Sequence, residues 1–193
     1  LYQAEGGSVT PILPISDIAL PGMHNVENYM AAFAAVRGLV SAETMDAVAR
    51  SFHGVEHRIE RIRVRRGVRW YNDSIASSPS RTIAGLRSFP EKVILIAGGK
   101  DKGISYDAIG PEINAHVKYL ILCGVTAGVI RESVQKAANY AGLPIREVQD
   151  YHEAVALADE VSGEGDVVIL SPASTSFDRF ANFMERGQVF KAI

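Results

Sequence analysis

From Pro79 onward the sequence alternates short apolar segments with helical patterns, and that alternation leaves few architectures open. Lys92-Val93-Ile94-Leu95-Ile96-Ala97 and Tyr119–Cys123 read as buried strands, and Ile145–Val148 and Val167–Leu170 as further short strands. Helical periodicity covers Pro79 to about Ser88, Asp107–His116, Thr126–Ala141, His152–Val161 and, after the last strand, about Phe177–Phe190. Strands joined through helices close by right-handed crossovers, so the fold class is α/β with a doubly wound, mostly parallel, Rossmann-like sheet. Ligands of such sheets gather at the carboxyl ends of the strands. Four segments emerge there: Trp70–Thr82, Gly98–Gly103, Gly124–Ala127 and Ser171–Ser176.

The region before this alternation reads differently. Residues 1–23 hold six Gly or Pro residues and predict extended connections with an edge strand around Ile15–Leu20. Val26, Tyr29, Met30, Phe33, Ala34 and Val36 recur at helical spacing from His24 to Gly38, and a second helix is predicted over Ala42–Phe52. Gly54 breaks the pattern, and a hairpin follows with its turn at Arg65-Arg66-Gly67. A boundary near Gly54–His57 divides residues 1–56 from 57–193.

A net charge of −2 gives no reason to expect nucleic acid or an anionic membrane as partner. The lone Cys123 excludes an internal disulfide and suits a reducing, cytoplasmic setting. No apolar run approaches the roughly 20 residues that span a bilayer. The chain opens on Leu1 and loose Gly- and Pro-containing sequence, which reads as part of a longer protein whose cut domain exposes apolar surface.

Within Trp70–Thr82, Ser78 can cap a helix and Pro79 suits its first position. Free N–H groups, hydroxyls and the carboxylate of Asp73 gather there, either as a capped connection or as a site for an anionic ligand. Gly98-Gly99-Lys100-Asp101-Lys102-Gly103 lacks the G-x-G-x-x-G spacing, and Ile104 stands where a P-loop needs lysine, leaving a strand-end loop whose lysines suit a carboxylate or are simply solvated. His53-Gly54-Val55-Glu56-His57 spells H-x-x-E-H, but the glycine and the following hairpin argue against the helix a zinc site needs. Asn25 and Asn28, three apart on a helix, can match a nucleobase edge or cap the helix. Ser174, Thr175 and Ser176 precede the last helix without a nucleophile elbow around them, and Cys123 reads as a core residue.

Leu20–Asn28, Phe52–Glu60, Gly67–Ser74, Ala97–Gly103 and Leu170–Gly187, in this order, resemble the Mur ligase family. Within it they are most similar to members that add D-glutamate to a UDP-linked muramoyl-alanine acceptor in peptidoglycan synthesis. The resemblance implies that residues 1–56 are the end of a central ATP-binding domain and 57–193 the C-terminal amino-acid-binding domain. A UDP-sugar-binding domain and the P-loop would lie outside this chain. It implies an acyl phosphate made with ATP and Mg2+, attack by the amino group of D-glutamate, and domain closure that gates the chemistry. The metal ligands would lie mostly outside the chain, no metal would be held by the chain itself, and the chain alone would be inactive. By position, Asn25 and Asn28 would face the adenine with His24 beside them. Arg58 would approach the phosphates and Asp73 the ribose hydroxyls. Ser77, Lys102, Ser176 and the start of the last helix, Phe177 to Phe183, would hold the D-glutamate carboxylates. Ile75 stands where many relatives carry lysine, and Lys100 could supply that charge. The alternatives are another Mur-type or folate polyglutamate ligase, or a stand-alone module binding an acidic amino acid.

Overall fold

The computed structural model of the chain describes every residue except Pro21, and every side chain except those of Gln3, Glu5, Pro21 and His24. The described residues separate into two units, Leu1–Gly54 and Val55–Ile193.

In the first unit, β1 (Tyr2–Glu5) and β2 (Ser8–Pro11) form a hairpin that turns at Gly6 and Gly7. Their φ values of 54° and 82° suit glycine in a tight two-residue turn. The edge strand expected at Ile15–Leu20 is not there: Ile15–Asp17 is a 3-10 turn whose N–H groups bond three residues back, and Ala19 N–H bonds to Ala49 O. Helices α1 (Met23–Ala35) and α2 (Ala42–Ser51) follow, the latter capped by Ser41 Oγ accepting from Thr44 N at 3.3 Å. Leu13, Tyr29 and Ala49 form the buried centre, and Tyr2, Val9, Met23, Met30 and Leu39 are exposed.

The second unit runs β3 (Glu60–Arg65), β4 (Val68–Asn72), α3 (Pro79–Leu86), β5 (Val93–Ala97), α4 (Ile109–His116), β6 (Val117–Cys123), α5 (Ala127–Lys136), β7 (Ile145–Val148), α6 (Tyr151–Val161), β8 (Val167–Leu170) and α7 (Phe183–Ala192). Its six strands lie in the order β3-β4-β8-β5-β6-β7, with only β3 antiparallel to its neighbour. Leu95, Leu120, Leu122 and Ile169 face one core with Leu86, Ile109, Ile113, Ile130 and Val134 of α3, α4 and α5. Ile94, Ile96, Ile121, Val168 and Leu170 face the other with Tyr151, Ala154, Ala158 and Phe190 of α6 and α7. Successive residues of a strand therefore enter opposite cores, which is why these strands are apolar throughout rather than alternating. Each fully buried Leu or Ile contributes about 1.5–3 kcal/mol, so the sheet centre dominates the stability of this unit.

Two helix bounds differ from the sequence reading by five residues or more. Helix α5 stops at Lys136 rather than Ala141, because Ala137 is extended and the chain turns there, with Asn139 Nδ2 donating to Pro111 O at 2.9 Å. Helix α7 begins at Phe183 rather than Phe177. Asn182 Oδ1 accepts from Glu185 N at 2.9 Å, and Glu185 Oε2 accepts from Ala181 N at 2.7 Å, a reciprocal cap that sets the start. The chain leaves β5 for β6 and β7 on one side and returns through α6 to β8 on the other. The crevice between β5 and β8 is therefore the switch point of the sheet.

Candidate functional site

The two loops at that switch point are bonded to each other. Gly98 N donates to Pro172 O at 2.9 Å, and Lys100 and Thr175 exchange backbone bonds of 2.9 and 3.0 Å. Gly98 and Gly99 take φ values of 113° and 154°, and a side chain there would strike the carbonyls of Cys123 and Thr175 respectively. Thr126 N donates to Gly99 O at 3.0 Å, drawing the end of β6 into the same cluster. Beneath the loops, Ser174 Oγ joins Tyr106 Oη (2.9 Å) and Thr126 Oγ1 (2.7 Å) in a buried chain of hydroxyls. Burial holds the Tyr106 phenol above its usual range.

At the end of β4, Asp73 N bonds to Leu170 O at 2.8 Å, extending the ladder one residue past the strand. The Asp73 carboxylate is 3% exposed and turned inward, accepting from Ser171 Oγ at 2.7 Å and Ile59 N at 3.3 Å. Burial pushes its pKa to about 7, against the two hydrogen bonds and the charges of Arg58 and Arg81. Four residues on, Ser77 Oγ accepts from Lys102 Nζ at 3.3 Å, so two of the expected D-glutamate ligands meet across the crevice. Ser78 sits at the cap of α3 with no side-chain cap bond, its hydroxyl instead facing Ser80 Oγ at 3.3 Å, and Pro79 occupies the first turn. Ile75 is half-buried, and its carbonyl accepts from Arg81 Nη1 at 3.4 Å.

Ser176 is buried in the β8–α7 loop, whereas Phe177 is 62% exposed. Phe183 is half-buried and meets the His57 ring edge-on, 5.9 Å between centroids. The segment 177–182 is irregular, so Phe177 and Phe183 do not share a helix as the sequence suggested. In the first unit, Asn28 Nδ2 donates to Asn25 Oδ1 at 3.3 Å, and the pair lies in the first turns of α1 with Asn25 buried and Asn28 exposed. The expected His24 side chain lies outside the described residues.

The segment carrying the H-x-x-E-H motif is not helical, which removes the geometry two zinc-binding imidazoles need. Glu56, His57 and Glu60 do cluster, but Lys191 Nζ lies 2.5 Å from Glu56 Oε1 and 3.1 Å from Glu60 Oε1. That ammonium occupies the place a cation would take, so these residues do not fit a metal. His57 is 4% exposed, with Asn72 Nδ2 2.9 Å from its Nδ1, and a side chain at Gly187 would collide with its ring.

The sequence reading missed Arg186, the largest of the fully buried side chains, which bonds to Ser74 and Ser174. Nothing in Met184-Glu185-Arg186-Gly187 marks one charged residue as internal, since burial here follows from where α7 is seated. The family model "Mur ligase, glutamate ligase domain" matches residues 57–174, from this buried His57 through the β8 loop. The chain belongs to the Mur ligase family.

Curated relatives extend the match beyond that domain. The UDP-N-acetylmuramoylalanine--D-glutamate ligase of Acetivibrio thermocellus is 53% identical over 197 residues, covering all of this chain and 42% of that protein. The protein of the same name from Clostridium beijerinckii is 51% identical over 179 residues, covering 92% of this chain and 39% of its own length. This Mur ligase chain therefore spans about two fifths of the length of these relatives. Among solved structures, UDP-N-acetylmuramate-alanine ligase of Thermotoga maritima superposes with a TM-score of 0.63 at 16% identity, covering 88% of this chain and 37% of that one. Mycobacterium tuberculosis folylpolyglutamate synthase gives 0.63 at 14% identity, covering 89% and 41%. These two likenesses concern the fold alone.

Proposed function

We propose that this chain is the C-terminal portion of an ATP-dependent ligase that joins D-glutamate to UDP-N-acetylmuramoyl-L-alanine through an acyl phosphate, in cytoplasmic peptidoglycan synthesis. The observation that carries the reading is the pairing of Ser77 and Lys102 at the switch-point crevice of a glutamate ligase domain. The names of relatives about half identical across the chain support the choice of amino acid.

Residues 57–193 are assigned to the amino-acid-binding domain and residues 1–56 to the end of the ATP-binding domain. An amino acid with two carboxylates needs fixed donors and positive charge, and the crevice offers them. Lys102 and the Ser77 hydroxyl are assigned to one carboxylate, and Ser176 with the Phe177–Phe183 segment to the other end of the molecule. The phenylalanines would close over the carbon chain and exclude water. Arg58, exposed and within electrostatic reach of Asp73, is assigned to the phosphates. Asp73 is assigned to the ribose. In this structure its carboxylate is buried and turned onto Ser171 and Ile59, so this role requires it to turn outward to meet the hydroxyls. In the first unit, the Asn25 and Asn28 amides, with His24, are assigned to the adenine edge. ATP with Mg2+ supplies the phosphoryl group that activates the acceptor carboxylate. The residues of this chain position the incoming amine and neutralise charge rather than act as nucleophiles.

The test is an amino-acid panel on the full-length ligase, read as ADP release with the UDP-muramoyl-alanine acceptor. D-glutamate is expected to be preferred over L-glutamate, D-aspartate, L-alanine and L-lysine. Preference for another amino acid, or for a folate acceptor, overturns the assignment. Product formation by residues 1–193 alone overturns the partial-enzyme reading.

A further inference from the structure

Arg186 is 1% exposed, yet no carboxylate lies within ion-pair distance of it among the described residues. Buried charges are ordinarily paired, because desolvating an ion costs several kcal/mol that only a close partner offsets. Here the guanidinium is held by dipoles. Nε donates to Ser74 Oγ at 3.0 Å, Nη2 to Ser74 O at 2.8 Å and Nη1 to Ser174 O at 3.1 Å. Ser74 Oγ in turn donates to Phe183 O at 2.7 Å, closing a ring of bonds through the start of α7. Burial works against the charged form of Arg186, while the Tyr151 hydroxyl, as a hydrogen-bond partner, and the more distant Asp178 carboxylate favour it.

The location of this cation gives it meaning. Ser74 opens the loop that carries Ser77, and Ser174 lies in the loop that carries Ser176. The guanidinium also lies beside Gly99, where Nη1 would be 3.2 Å from an added Cβ, directly under the loop that carries Lys102. One planar fork thus bonds two strand-end loops together, lies against a third, and brings positive charge to their junction. A lysine could not do this, having a single compact ammonium in place of the guanidinium's spread of donors.

We propose that Arg186 is the positioning residue of the acid-substrate pocket: it sets the spacing of the Ser77, Lys102 and Ser176 loops, and its charge is balanced by the anionic amino acid. This rests on the functional reading above for the kind of ligand, an amino-acid carboxylate, but not for its identity. It does not place Arg186 in contact with substrate. Three donors are occupied by the loops, so the residue acts through them and through its field.

The experiment is steady-state kinetics of Arg186→Lys, Arg186→Gln and Ser74→Ala in the full-length ligase, with KM measured separately for the amino acid and for ATP. The amino acid used is whichever the panel selects, so a failed D-glutamate assignment and a failed role for Arg186 are distinguishable. Arg186→Lys keeps the charge and is expected to raise the amino-acid KM about tenfold, with the ATP KM within about twofold. Arg186→Gln removes the charge and is expected to raise it by a further factor of about ten. Ser74→Ala keeps the arginine, is expected to fold, and should raise the amino-acid KM about threefold. If the arginine variants fail to fold, Ser74→Ala decides alone. Equal losses for Lys and Gln, parallel rises in both KM values, or a fall confined to kcat would overturn the proposal and leave Arg186 a purely structural residue.

Discussion

Replacing Asp73 by asparagine tests whether the polar junction at the end of β4 is held at a cost in stability. The carboxylate accepts from Ser171 Oγ and Ile59 N inside the protein, and burial raises its pKa from 3.8 to about 7. A rise of about three pH units, at about 1.4 kcal/mol per unit, corresponds to about 4 kcal/mol. The direction follows from proton counting. Below about pH 4 the residue is protonated folded or unfolded and costs nothing. Between about pH 4 and 7 the unfolded chain has lost the proton while the native state keeps it, so stability falls as pH rises. Above about pH 7 the full cost is present. Asparagine preserves the geometry: its Oδ1 accepts from Ile59 N–H, its Nδ2 donates to Ser171 Oγ, and that hydroxyl remains free to donate to Thr82 Oγ1, 3.0 Å away. Asp73→Asn should therefore be more stable than the parent chain at pH 8, by about 2–4 kcal/mol, with the difference vanishing near pH 4. Urea unfolding read by tryptophan fluorescence measures this, because Trp70, the single tryptophan, is buried in β4 and reports only on the second unit. The carboxylates whose pKa lies below the ordinary value, such as Glu112 beside Arg87, lose stability only at lower pH and cancel in the difference. A pH-independent difference, or a less stable variant at pH 8, refutes the reasoning.

Two further outcomes depend on packing. Gly187→Ala drives a methyl into the His57 ring and should destabilise the second unit by about 1–3 kcal/mol, whereas Gly128→Ala in α5, where a Cβ meets nothing, should stabilise by about 0.5–1 kcal/mol; the same Trp70 unfolding curves check both. Cys123 is buried with its thiol pushed up by desolvation, so its reaction with a disulfide reagent should follow the opening of the fold and accelerate sharply across the urea transition; fast labelling in buffer would contradict the buried placement.

The sheet of the second unit could be read from the sequence because its signal is local. β5, β8 and the Tyr119–Cys123 part of β6 are apolar runs of four or more residues, and the glycines at 98, 99 and 124 mark the ends where backbones crowd. The misread elements are those where polar side chains decide. The start of α7 is set by the reciprocal Asn182–Glu185 cap, visible as N-x-x-E but overshadowed by the hydroxyl run before it. Ile15–Leu20 had a strand-like composition, yet Ile15–Asp17 forms a 3-10 turn after Pro14 and Ala19 N–H bonds to Ala49 O at the end of α2. At the candidate site, the meeting of Ser77 and Lys102 was legible as two strand-end loops on one edge of a parallel sheet. The inward turn of Asp73 and the burial of Arg186 were not. Both depend on partners about a hundred residues away in sequence, Ser171 for Asp73 and Ser74 for Arg186.

The central claim is that the strand-end loops of the second unit hold the acidic amino acid. The most direct test is the Lys102→Ala variant of the full-length ligase, with KM for D-glutamate and for ATP measured side by side. Loss of a charge-assisted contact predicts a D-glutamate KM raised about tenfold or more with the ATP KM within about twofold. An unchanged D-glutamate KM, or an equal rise for ATP, contradicts the account.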